Sequence, residues 1–152
     1  MSQIHPYEVA VEWSGGRDGQ GSVTALASGT RNALRVPAEF GGPGGDGTNP
    51  EELLASSVAA CYTITFGIIA ANRKLPVLDL KVKATGEVEQ AGMQFVYKSI
   101  TVKPTITLAS DATEEQLKGA EDMAHKADMY CIITNAVRDK VAIAVEPTIV
   151  RA

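Results

Sequence analysis

The 152-residue sequence predicts an α+β fold in which antiparallel sheets pack around one long central helix. Three observations predict it. Segments alternating in period two come in groups, at 7–13, 21–27 and 33–36 and again at 78–89 and 93–108, instead of alternating one for one with helices; that order argues for antiparallel sheet over βαβ units. Residues 53–71 carry no charge and leave no polar face, so this helix should be buried on most sides. A helix over 111–128, a short one over 131–139 and a last strand over 141–150 complete a chain of single-domain length, 1–152.

Each element has a local cause. Residues 7–13, Y-E-V-A-V-E-W, read as a half-buried strand, and the glycines of Ser14-Gly15-Gly16-Arg17-Asp18-Gly19 turn it into the strand at 21–27. Phe40 to Gly47 holds five glycines in eight residues, a loop whose backbone can approach something closely; it lacks the lysine of a phosphate loop. The central helix starts at Thr48 or Asn49 as cap, with Pro50 in the first turn and Glu51 and Glu52 at the positive end of the dipole. Leu75-Pro76 ends it. Ala91-Gly92 turns a long hairpin, and Pro104 in its second strand implies an edge or a bulge. Asp111 or Thr113 caps the next helix, whose Leu117, Ala120, Ala124 and Ala127 share a face. Pro147 falls near the end of the last strand.

Composition narrows the function. A net charge of −4 and a pI of about 5.2 give no basic stripe for nucleic acid. The uncharged run is long enough to span a bilayer, but Ser56, Ser57, Thr63, Thr65 and Gly67 dilute it and no aromatic belt flanks it, so it reads as a core helix. No charged-then-apolar leader opens the sequence, which points to the cytoplasm and reduced thiols. Cys61 and Cys131, the only cysteines, exclude a disulfide framework and a four-thiolate zinc site. His5 and His125, the only histidines, lack ligand spacing to either; His5 reads as solvated, His125 as a surface or boundary residue, and neither a metal nor another cofactor is expected. Cys61 lies mid-helix and Cys131 at a helix start, where a thiol pKa falls. Two unrelated buried thiols, a redox pair and a Cys61–His125 hydrolase dyad all remain open on position alone.

The run T-N-P-E-E-L-L-A-S-S-V-A-A-C, the preceding G-G-R-D-G loop, and Cys131 with Asn135, Ala136 and Arg138 closely resemble the OsmC/Ohr family of thiol peroxidases over nearly the whole chain. Ile132 stands where the family often has proline. The resemblance implies an OsmC-like fold, an intertwined homodimer with its sites at the interface, and reduction of organic hydroperoxides, fatty-acid hydroperoxides among them. It implies that Cys61 is the peroxidatic cysteine and Cys131 the resolving one, with Arg17 and Glu51 in the places of the family's arginine and glutamate. An external dithiol, such as a lipoyl group, would return the disulfide to thiols. A non-catalytic redox sensor or thiol-binding protein on the same fold is the alternative. Glu51 and Cys61 lie about 15 Å apart along an ideal helix. Their joint use of Arg17 therefore requires a bend near 55–57, a loop lying along the helix, or a two-fold partner that supplies Arg17 and Glu51 in trans.

Overall fold

The computed structural model describes residues 1–152, which form two compact units, Met1–Leu53 and Leu54–Ala152. In the first, β1 (Val9–Ser14), β2 (Gln20–Ala25) and β3 (Arg31–Leu34) form an antiparallel sheet in that order. The turn after β1 needs Gly15 at φ 92°. The expected half-burial of the first strand is not met: all six residues of β1 are exposed, the apolar Val9, Val11 and Trp13 among them. β3 begins two residues earlier than the alternation suggested. Arg35 leaves the sheet by donating its backbone N–H to the Thr48 carbonyl (2.9 Å), which turns the chain into the glycine-rich loop. What that loop approaches is its own chain: a Cβ on Gly42 would stand 2.2 Å from the Val36 carbonyl oxygen.

Helix α1 (Pro50–Asn72) opens as its sequence demands. The Asn49 side chain accepts from the Glu52 backbone N–H (2.8 Å), and the Thr48 hydroxyl donates to the Glu52 carboxylate (2.8 Å). The helix is unbroken through 55–57. It is long and apolar enough to cross a membrane, with mean hydropathy 1.8.

In the second unit, β4 (Val77–Ala91) and β5 (Gln94–Leu108) make a long antiparallel hairpin around Gly92 at φ 63°. Helix α2 (Glu114–Tyr130) starts at Thr113 with a capping box to Gln116. Helix α3 (Ile132–Val137) follows directly. The expected single last strand is two, β6 (Ala142–Val145) and β7 (Thr148–Arg151), divided at Glu146-Pro147, and both pair parallel to β5. A return through two helices brings the chain back alongside β5 in the same direction, as a crossover does. Pro104 is therefore neither on an edge strand nor at a bulge. It sits in the central strand, at the gap between the residues paired with β6 (99–102) and those paired with β7 (105–108), where no neighbour calls for its missing N–H.

The core joins one stripe of α1, Val58, Tyr62, Phe66 and Ala70, to Ile100, Val102, Ile106 and Leu108 of β5 and to Ala120, Met123, Ala124 and Ala127 of α2. The spacing of four along α1 is that of a single helix face. The expectation that α1 is buried on most sides is thus corrected: Ala60, Ile64, Gly67, Ile68 and Ala71 are exposed, because one chain supplies cover for one side only.

Candidate functional site

Tyr62 fixes the position of its neighbour Cys61. Its ring is buried beside Phe66, and its hydroxyl donates to the Ala124 carbonyl of α2 at 2.7 Å. Burial, reinforced by the Asp128 charge, raises the Tyr62 pKa, so the phenol stays protonated and remains a donor. Cys61, next along the helix, is half-buried.

Cys131 is fully buried at the joint of the last two helices, where it ends α2 and caps α3. Its backbone is extended, at φ −74° and ψ 115°, and its sulfur accepts from the Thr134 backbone N–H at 3.3 Å. Three further bonds close the joint. The Arg138 guanidinium donates to both the Asp128 carboxylate and the Asp128 carbonyl at 3.1 Å, and the Asn135 side chain donates to the Met129 carbonyl at 2.9 Å. Asn135 and Arg138, met in the sequence as part of a motif, are thus the groups that hold Cys131 in place.

Each thiol influences the acidity of the other, and their environments drive the two apart. Burial acts on Cys61 most strongly and upward. Hydrogen bonds from the Cys131 side chain, the Ile133 backbone, the Thr65 side chain and the Ile132 backbone together outweigh it, so the Cys61 pKa falls below its ordinary 9.0. Burial raises the Cys131 pKa, the bond to Cys61 raises it further, and the side chain and backbone of Thr134 only partly offset this. Of the two thiols, Cys61 is the one made more acidic and Cys131 the one made less acidic. Opposed pKa shifts in adjacent titratable groups are what acid and base assignments are read from.

Thr65 also lines an open groove of about 440 Å³ with Ile68, Ile69, Asn72, Arg73 and Tyr130. Its lining surface is mostly apolar.

Arg17 and Glu51 belong to the first unit. Arg17 is exposed in the β1–β2 turn with its guanidinium folded against Gly41; a Cβ there would stand 3.1 Å from Nη1. Glu51 lies in the first turn of α1 and is half-buried. His125 is exposed on α2. Sequence reasoning missed Thr65, Thr134 and the N–H groups of Ile132 and Ile133. The only signal was spacing: Thr65 stands four residues after Cys61, on its helix face, and Thr134 three after Cys131, where an N-cap bond lands.

Residues 42–146 match the family described as OsmC-like protein, and the chain belongs to that family. Among solved structures, an OsmC-like protein of unknown function from Vibrio cholerae has the same fold, with a TM-score of 0.79 at 17% identity over 95% of this chain and all of that one. An organic hydroperoxide resistance protein from Legionella pneumophila superposes with a TM-score of 0.68 at 25% identity over 98% of this chain and 100% of that one. Among curated relatives, the chain is 31% identical over 132 residues to the organic hydroperoxide resistance protein of Xanthomonas axonopodis pv. citri, covering 84% of each. It is 29% identical over 145 residues to the uncharacterised protein YmaD of Bacillus subtilis, covering 95% of each.

Proposed function

We propose that the protein is a cysteine-based peroxidase that reduces organic hydroperoxides to alcohols. The observation that carries this reading is the pair of free cysteines, half-buried Cys61 on the central helix and fully buried Cys131 held at the joint of α2 and α3, with surroundings that favour ionisation of Cys61 over Cys131. The family and the relatives named for organic hydroperoxide resistance support it. The Cys61 thiolate attacks the outer peroxide oxygen and takes it as a sulfenic acid, while the alkoxide leaves and gains a proton. The Cys131 thiol then attacks the Cys61 sulfenic acid; a disulfide forms and hydroxide leaves as water. An external dithiol restores both thiols by exchange. The apolar groove beyond Thr65 suits an alkyl or acyl chain better than hydrogen peroxide.

In this reading Arg17 acts mainly on the leaving group. Lowering a thiol pKa from about 8.5 to about 6 raises the thiolate fraction roughly thirtyfold at neutral pH, yet costs roughly tenfold in nucleophilicity. Stabilising an alkoxide in a water-poor site is worth more. Glu51 holds the guanidinium through a paired carboxylate contact. The active species is a homodimer that covers the open face of α1, with Arg17 and Glu51 of one subunit completing the site of the other. The setting is a reducing compartment, in keeping with two free thiols.

Steady-state turnover of cumene hydroperoxide with a dithiol reductant tests the proposal. The wild type should turn over many times and Cys61→Ser not at all. A single oxidation without turnover would instead describe a redox sensor, and indifference to peroxide would leave the hydrolase reading.

A further inference from the structure

The Thr134 side chain is fully buried, and its hydroxyl has no hydrogen-bond partner in the resting geometry. A buried hydroxyl without a partner is unfavourable, and native proteins rarely keep one without cause. The cause is next to it. The Thr134 backbone N–H already donates to the Cys131 sulfur at 3.3 Å. The hydroxyl stands close enough to lower the Cys131 pKa as well, against burial and Cys61, which both raise it. Cys131 is the less acidic of the two thiols, so in the resting pair it is the later one to carry a negative charge that a second donor would stabilise.

We propose that Thr134 readies Cys131 for the resolving step: its hydroxyl, joining its own backbone N–H, donates to the Cys131 sulfur as negative charge develops there. This rests on the peroxidase reading. Once Cys61 has become a sulfenic acid, its sulfur no longer carries the charge that opposed ionisation of Cys131. The Cys131 S–H bond breaks, its electron pair attacks the Cys61 sulfur, and the S–O bond of the sulfenic acid breaks. The proton leaves with the departing hydroxide as water, and the Cys61–Cys131 disulfide remains. The two electrons that reduced the peroxide come from the two thiols. Thr134 keeps its own hydrogen throughout and donates only a hydrogen bond. The other titratable and charged groups around the joint are Cys61 and Tyr62 of α1, Asp128 of α2 and Arg138 of α3. The last two are paired with each other at 3.1 Å.

A hydrogen bond to an ionised group corresponds to roughly a tenfold to hundredfold equilibrium effect. Removing the hydroxyl therefore raises the pH midpoint of Cys131 ionisation by about one to two pH units. The thiolate that remains is intrinsically more nucleophilic, with a slope of about 0.4–0.5, so the resolving step below the midpoint slows by only roughly three- to sixteenfold. Thr134→Val keeps the shape and loses the donor; Thr134→Ser keeps the donor.

Two measurements test this. In the Cys61→Ser background, ultraviolet thiolate absorbance titrates Cys131 alone and needs no peroxidase activity. The midpoint should rise in Thr134→Val and stay near the parent's in Thr134→Ser. In the otherwise wild-type chain, one equivalent of cumene hydroperoxide followed by rapid quench and mass analysis gives the two steps separately. Cys61 oxidation should keep its rate in Thr134→Val, while conversion of sulfenic acid to disulfide slows and its pH profile moves upward. An unmoved midpoint in Thr134→Val, or equal slowing in both variants, overturns the role of the hydroxyl. A shifted midpoint with no disulfide formed even in the wild type overturns the peroxidase reading and with it the resolving role, leaving Thr134 a donor to an idle thiol.

Discussion

The open face of α1 permits a worked prediction about the dimer. Ile64 is 64% exposed and Ile68 57%, on the side of the helix opposite its buried stripe. Burying a whole isoleucine side chain is worth about 1.5–3 kcal/mol, so covering the remaining three-fifths gives roughly 1–2 kcal/mol each. A two-fold interface counts every residue twice, which brings the pair to roughly 4–7 kcal/mol per dimer. Association loses part of this to ordering and desolvation, so half is a fair minimum, at least a thirtyfold change in dissociation constant. The perturbation is the double substitution Ile64→Ser with Ile68→Ser. Serine and isoleucine have similar helix propensities, so α1 itself is not penalised, and both sites lie outside the chain's own core. Sedimentation velocity across a concentration series should find a dimer for the wild type and a large shift toward monomer for the double variant, with an unchanged far-ultraviolet spectrum. A wild type that is monomeric throughout would refute the dimer. A double variant that dimerises as tightly as the wild type would refute the use of this helix face.

Further expectations follow from the same geometry. Tyr62→Phe removes the 2.7 Å bond to Ala124 and should cost about 1 kcal/mol, or a Tm lower by roughly 2–4 °C in calorimetry; no change would mean that the bond does not position Cys61. Cys61 should be alkylated increasingly fast as pH rises through a midpoint below 9.0, because only the thiolate reacts. Cys131→Ala removes one of its donors and should move that midpoint up; a midpoint that stays or falls contradicts the pairing of the thiols. The linked stability has the same sign: the lowered pKa favours the folded state above the unfolded thiol's pKa, and this contribution fades as pH falls through the folded midpoint. Arg17→Ala should lower kcat/KM for cumene hydroperoxide by roughly a hundredfold to a thousandfold, and Arg17→Lys should not restore it, since a point charge lacks the guanidinium's paired donors. Near-normal efficiency in Arg17→Lys would remove the leaving-group role. If the site is built across the dimer, refolding Cys61→Ser together with Arg17→Ala regains activity that neither variant has alone; mixtures that stay inactive place the site within one chain.

The elements were legible in the sequence because local chemistry fixes them. Asn49 and Thr113 cap the helices that their spacing announces, and Gly92 turns the long hairpin. The final strands were harder to read. Period-two alternation marks a strand but not its direction, and the parallel pairing of β6 and β7 with β5 depends on the crossover through α2 and α3. The burial of α1 was misjudged because composition reports which surfaces want cover, not whether the same chain supplies it. In the site, Cys61 and Cys131 stood out as rare residues in a motif, whereas Thr65 and Thr134 are common residues whose meaning comes only from the sulfur beside each. The acidity of Cys61 is similar: it rests partly on the backbone N–H groups of Ile132 and Ile133, which no side-chain pattern announces.

The most direct test of the central claim is a count of thiols and products after one equivalent of cumene hydroperoxide is added to the fully reduced protein. Loss of both thiols per chain, one cumyl alcohol formed and a Cys61–Cys131 disulfide in the peptide map are expected, with no product from Cys61→Ser. Retention of both thiols in the wild type, or the same alcohol yield from Cys61→Ser, would contradict it.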